Sequence, residues 1–392
     1  MKWLTLARNL IDDARGRFET FVAESPKDLA ECAALLDSVR RQELRRMSGD
    51  SALATSGFSE ESARSFLLAV RDTATRKIVG CVRAVYADSV AHEPSAQREY
   101  RLDLIPEELW PMTGIAARMV VEPSMRKTAA SLVLTRALYE MSIRVHQRCL
   151  FLVSCEPALL SLYTRMGYRP LGRIWAKPTG GFRIPTVLVG HDEEHLARVR
   201  SPLLPVLRRT PRPWPQEGLR WLRDAKSLFP EDPGARKWGS ADLRAPHPSV
   251  LPLLRGLSDE GKRALLRNAM EVQAEPGDLA FREGDGVRGL AVVLDGGVTR
   301  RRGGQETGRL GPGGVAGLLT TSLDLPRVES IVVDRPSTRL LLLSRSATER
   351  LPSAADRAAL WQNMAERLAS RALHAAAPAA HLPGPAPEEQ RA

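Results

Sequence analysis

The 392-residue sequence predicts an α+β chain: a mixed sheet flanked by helices, then a small all-β unit ending in a helix. Three observations carry this reading. Helical and strand-like patterns alternate over residues 1–200. Residues 247–350 are rich in glycine and short apolar runs, the pattern of tightly turned strands. A helical pattern returns near 353–375. The expected organisation is a first domain at 1–200, a Pro-rich linker at 201–246, a second domain with its C-terminal helix at 247–375, and a disordered tail at 376–392.

In the first domain, "RFETFVA" (17–23) reads as a strand. "SPKDLAECAALLDSVRRQELRR" (25–46) opens with a Ser cap and Pro, and its apolar residues recur every three or four positions, so it is a helix. "FLLAVRDTATRKIVGCVRAVYA" (66–87) is a hairpin around a polar turn. "IAARMVV" (115–121) is a strand. A long helix follows at 128–148, with Leu132, Leu134, Leu138 and Met141 as its apolar face. "CLFLVSC" (149–155) is a buried strand. A short helix at 158–168 stops at Gly167, and strands follow at about 169–176 and 183–190. The linker is expected to be a loose bridge with room for one short helix in "EGLRWLRDAKSLF" (217–229).

Composition narrows the function. Net charge is +11 and the pI about 9.9, and only eight of the 57 basic residues are lysine. The arginines are scattered, as on a solvated surface, so nucleic acid is not the expected partner. An acidic acyl carrier protein is the alternative partner. No apolar run reaches 18 residues and no signal peptide is apparent, which predicts a cytoplasmic protein without a transmembrane segment. The start "KWLTLARNLI" has the amphipathic look of a peripheral membrane contact or a docking helix. The four cysteines form no CxxC pair and are expected as buried free thiols. "HDEEH" (191–195) fits an inverted-zincin pattern, but it opens a short helix with no third ligand, so no metal is expected.

The most specific stretches are "RMVVEPSMR" (118–126) and "CEPALLSLYTRMGYRPLG" (155–172). Through them, roughly residues 15–200 resemble the GNAT acyltransferases, most of all the bacterial long-chain N-acyl amino acid synthases and their autoinducer-synthase relatives. The resemblance implies an acyl donor, acyl-CoA or acyl carrier protein, held beside strand 115–121 at Val120 and Val121. It implies a pyrophosphate cradled at the next helix start by Arg126, Ala129, Ala130 and Ser131. Ala129 stands where the family has a glycine, and its Cβ is expected to crowd the phosphate. Tyr163 matches the phenol that protonates the leaving thiolate. Arg118 matches an arginine that would hold a carboxylate of the acceptor or carrier. Its family partner three residues earlier is acidic, whereas here it is Ile115, so the base for the small-molecule amine acceptor is unassigned.

"PGD", "EGD" and "VVLDGGV" fall in the order of a cyclic-nucleotide-binding domain over roughly 249–345. That resemblance implies a β-roll with a phosphate-binding turn at Gly317 and Arg327. Leu318 replaces the carboxylate that would take a ribose hydroxyl, and Glu329 puts negative charge near a phosphate. The expectation is a degenerate roll in which binding of a cyclic nucleotide is doubtful. The leading reading is therefore an N-acyltransferase with a regulatory or structural second domain. The rival is a non-catalytic scaffold in which both sites have decayed.

Overall fold

The computed structural model describes residues 16–44, 64–126, 128–177, 181–210, 213–267, 269–284, 289–323 and 325–376. The expected amphipathic start, and all but the first residue of the expected tail, lie outside them. Strands β1 (Phe18–Val22), β2 (Ser65–Asp72), β3 (Ile78–Tyr86), β4 (Thr113–Val121), β5 (Leu150–Cys155), β6 (Arg169–Pro170), β7 (Trp175–Ala176) and β8 (Phe182–Val189) form the first sheet. Their order is β1-β2-β3-β4-β5-β8-β6, with β7 also on β8. The pairs are antiparallel except β4–β5, which is parallel and so needs a crossover helix.

Helix α1 (Pro26–Leu44) buries Cys32 and Val39 on one face of this sheet, against Ala69, Cys81 and Val120. Helix α2 (Pro94–Tyr100) lies on the same side, with Tyr100 over Leu152 and Val187. Helix α3 (Ala130–Arg144), the crossover, covers the other face with Leu134 and Leu138 over Leu68, Val70 and Val82. The face is turned slightly from expectation: Tyr139 and Ile143 complete it, while Leu132 and Met141 are half-buried. Helix α4 (Leu160–Met166) ends at Gly167, whose φ of +109° is the left-handed stop that glycine allows. All four cysteines are buried and free.

The described residues of 201–246, expected as a linker, are structured and packed. They hold helix α5 (Leu204–Arg208), helix α6 (Glu217–Asp224) and strand β9 (Ala235–Lys237). Trp221 of α6 is buried in the α2-side core, edge-on to Phe229. Strand β9 joins the second unit, where it pairs with β10 (Met270–Ala274). The apolar residues that alternate with the prolines explain this, because Leu203, Val206, Leu207 and Trp221 have cores to enter.

Beyond β10, strands β11 (Leu279–Phe281), β12 (Gly289–Asp295), β13 (Val298–Arg302), β14 (Gln305–Leu310), β15 (Val315–Ala316), β16 (Ser330–Val333) and β17 (Thr338–Ser344) build a roll of two antiparallel sheets. Strand β12 shows the period-2 logic: Ala291 and Val293 face the roll interior, while Leu290, Val292 and Leu294 face a helical layer. The C-terminal helix (Ala354–Ala376) supplies Leu360 and Met364 to that layer. The two units touch through a backbone hydrogen bond from Gly181 to Leu279, Ile174 donates to Pro233 of the connecting segment, and the units share one apolar cluster. No helix among the described residues is long and apolar enough to cross a membrane.

Trp221→Ala is expected to cost about 3–5 kcal/mol, as for a core aromatic. A chemical-denaturation midpoint equal to that of the parent chain would return residues 201–246 to linker status.

Candidate active site

The site begins with a break in pairing. Strands β4 and β5 pair from Thr113↔Leu150 to Ile115↔Leu152 and no further, although both strands continue. On the other edge of β4 the register shifts: Cys81 faces Val120, but Arg83 faces Ala117. One residue of β3 thus opposes two of β4, a β-bulge at Arg118 and Met119. Arg118 takes φ +52°, the left-handed region. The extra residue inverts the side-chain phase. Ile115 and Ala117 point to the α2 side, and so does Val120 rather than Met119. The bend carries β4 away from β5, so among the described residues the β5-facing edge of the strand beyond Ile115 has no strand partner.

The structure places the expected donor residues unequally. The side chains of Val120 and Val121 are buried on opposite faces of the sheet, so only their backbone can meet a ligand. Ala129 and Ala130 are 4% and 0% exposed. Both methyls are packed inward, away from solvent. Arg126 is exposed at the turn, where its Nε donates to the Val121 carbonyl at 3.1 Å. Ser131 is half-buried in the first turn of α3. Ala129, at the cap position, has no side-chain oxygen, so the start of α3 lacks a side-chain cap of its own; Thr128 Oγ1 accepts weakly from Ala130 N–H at 3.3 Å.

Tyr163 stands on α4, half-buried and edge-on to Tyr168, with ring centroids 5.4 Å apart. Burial, with smaller contributions from Cys155 and Glu156, pushes its phenol up to about 12. It is therefore protonated at neutral pH, as a proton donor must be. Burial likewise pushes the Cys155 thiol up to about 12, which removes it as a nucleophile.

Helix α2 was not among the expected elements, and it brings further polar groups to the same end of β5. Glu99 is buried and accepts from Lys177 Nζ at 3.1 and 3.3 Å. Arg183, on β8, lies 3.4 Å from Glu156. Burial raises the Tyr100 phenol well above its ordinary value; Glu99 and Tyr163 raise it further and Arg183 opposes them. The Pro94 helix start in "EPSAQREY" was the one local signal for this element.

The HDEEH segment is a structural knot. Asp192 caps the helix Glu193–Arg198 and pairs with Arg169 at 2.7 Å. One ring nitrogen of His195, Nε2, lies 3.0 Å from the Gly167 carbonyl, and Nδ1 lies 2.8 Å from Arg198 Nη2. A carbonyl only accepts and a guanidinium only donates, so the ring is neutral with its proton on Nε2. Neither nitrogen is left for a metal.

Topologically, the first unit is a mixed sheet parted at a bulge, and the second is a β-roll closed by a C-terminal helix. No family model matches the chain, and no curated protein matches it by sequence. Solved structures similar to it include FeeM, an N-acyl amino acid synthase from uncultured soil microbes. That likeness has 13% identity and a TM-score of 0.37, and covers 48% of this chain and 97% of that one. A cyclic nucleotide-binding domain from Methylobacillus flagellatus is similar at 22% identity and TM-score 0.32, over 36% of this chain and 86% of that one. A regulatory subunit of a cAMP-independent protein kinase A from Trypanosoma cruzi, bound to guanosine, is similar at 15% identity and TM-score 0.27. There the match covers 30% of this chain and spans less than half, 42%, of the other.

Two outcomes follow from this geometry. Burial, then the Arg169 and Arg198 charges, push His195 down to about 4, from 6.5 when unfolded, with Asp192 opposing. A depressed folded pKa means that the unfolded chain binds the extra proton, so stability is lost as pH falls from about 6.5 toward 4. Thermal melts at pH 7.5 and pH 5.0 should show a smaller acid loss for His195→Gln than for the parent. An equal loss would remove His195 as its source. Arg118→Gly should raise stability by about 1 kcal/mol by relieving the left-handed conformation. A lower denaturation midpoint in that variant would mean that the Arg118 side chain stabilises the fold by more than the bulge strains it.

Proposed function

We propose that the chain is a GNAT-type N-acyltransferase that moves an acyl group from acyl carrier protein or acyl-CoA to an amine, and that the amine belongs to an amino acid. The observation that carries this reading is the bulged, parted β4–β5 edge with the protonated Tyr163 phenol on the adjoining helix. An unpaired strand edge offers backbone groups to the amides of a pantetheine arm, as a sheet edge does to an added strand. Arg126 and Ser131, at the surface of the α3 start, are the groups placed to meet its phosphates.

The amine nitrogen attacks the thioester carbonyl carbon. The C–N bond forms, the C–S bond breaks, and the amine loses its proton to water. Tyr163 donates to the sulfur as negative charge builds on it, and solvent returns the proton. Arg118 at the bulge and Arg183 beside Glu156 are the cations that would orient the carboxylate of the acceptor. Glu99, held by Lys177, is the buried carboxylate that would position its amine. The reading implies a cytoplasmic enzyme. The second unit is proposed as regulatory or structural. The inward-packed Ala129 and Ala130 favour the rival, a scaffold that retains the fold without the donor.

Lipid extracts of cells expressing the chain, compared by mass spectrometry with cells expressing Tyr163→Phe, test the proposal. A new N-acyl product is expected, reduced by about 10²-fold or more in the variant. No new product in either strain, with both chains folded, would leave the scaffold reading standing.

A further inference from the structure

The β-roll contains a cavity of about 500 Å³, within the range of small-molecule sites. The short helix Leu318–Leu323 forms part of its rim, and the C-terminal helix forms one wall. Its charge is lopsided. Among the described lining residues, Arg300, Arg302, Arg327 and Arg371 face a single carboxylate, Glu329.

The pocket does not suit a cyclic nucleotide. A ribose and a base need hydrogen-bond acceptors as well as a cation for the phosphate. Among the described lining residues, the side-chain acceptors are Glu329 and Thr320. Glu329 gives both oxygens to Arg300, at 2.6 and 2.8 Å. Thr320 is 2% exposed. Leu318, at the position of the missing ribose partner, is 1% exposed and packs into the helical layer behind the roll. Arg327 is 3% exposed; it donates to the Gly289 carbonyl at 2.9 Å and stacks 3.6 Å over Phe281.

What remains is cationic and oily. Arg302 reaches the rim from β13, exposed apart from a contact with the Val328 carbonyl. Arg371 reaches in from the C-terminal helix and donates to the Val315 carbonyl. Burial, then the Arg300 charge, push Arg371 down to about 10, with Glu329 opposing, so its positive charge is under-compensated where it stands. Between these cations the wall is Phe281, Ile331, Leu319, Leu368, Ala369 and Ala372.

We infer that this cavity binds an aliphatic carboxylate, its head group between Arg302 and Arg371 and its chain along Phe281, Ile331 and Leu368. Guanidinium forks match a carboxylate, and the chain needs none of the acceptors that the pocket lacks. The inference does not rest on the acyltransferase reading, because it is tested by binding alone.

Calorimetry on the full chain with dodecanoate below its micelle concentration, cyclic AMP and cyclic GMP tests it. Dodecanoate is expected to bind, and both nucleotides to give no heat. Arg371→Met, which keeps the packing and removes the charge, should weaken dodecanoate at least tenfold. Ala369→Phe, at an exposed helix position, should fill the cavity and abolish binding while leaving the melting temperature unchanged. Tighter binding of either nucleotide than of dodecanoate would overturn the inference. So would a dodecanoate affinity unchanged in both variants, or no dodecanoate binding to a folded parent chain.

Discussion

The single extra residue in β4 is the constraint on which the first unit depends. Side chains along a strand alternate, so one inserted residue moves everything beyond it to the opposite face. Ile115 and Ala117 face α2, and Val120 faces α1 on that same side, a phase that only the bulge allows. Without it, Met119 would take the place of Val120, and Val120 would turn toward α3. The strand would also run straight, and the pairing that ends at Ile115↔Leu152 would have no geometric reason to stop. The left-handed conformation of Arg118 costs about 1–2 kcal/mol. The buried Ala117, Val120 and Val121 around it offset that cost, since any slip would turn each of them to the opposite face, into a core packed for another side chain.

The second unit is joined through packing rather than by a tether. Prolines in the connecting segment act locally. Pro205 sits in the first turn of α5, where its missing N–H is not needed. The Pro233 carbonyl receives the Ile174 amide at 2.7 Å. Between them Trp221 enters one core, and just after them Ala235 enters another. Strand β9 then adds an edge to the roll, and Glu271 fastens it by accepting from Trp238 at 2.9 Å and from Arg236 at 2.5 Å. A movement of the roll against the first sheet would have to disturb an apolar cluster common to both.

Much of this was legible in the sequence because it is periodic. The 3.6-residue period of α1 and α3 and the Gly167 stop each have a local cause, and each element lies close to its expected place. The site was legible only as residue types. Arg118 was expected in a strand, but no local pattern marks it as the bulged residue, because the shift exists only relative to β3. Ala129 reads as a lost glycine; its burial depends on how α3 settles on the sheet. Glu99 and Lys177 are 78 residues apart and meet because α2 packs on β5 and β8. Proline count was a poor guide to order between 201 and 246, where apolar residues with a core to enter decided the outcome.

The arginine excess has its own structural meaning. Repeatedly, a guanidinium here serves a backbone carbonyl that regular pairing does not: Arg126 on Val121, Arg302 on Val328, Arg327 on Gly289, Arg367 on Gly313 and Arg371 on Val315. A planar fork can bond a carbonyl with one arm and present its remaining face or arms elsewhere, as Arg327 does over Phe281. Lysine, a hydrated point charge on a flexible stem, does this poorly, so at these five positions arginine fills a role that lysine would not. Each such bond satisfies a carbonyl and leaves a full positive charge in place. Where several converge and, among the described residues, one glutamate answers them, as between β13 and the C-terminal helix, structural bonding by itself creates an anion-seeking cavity.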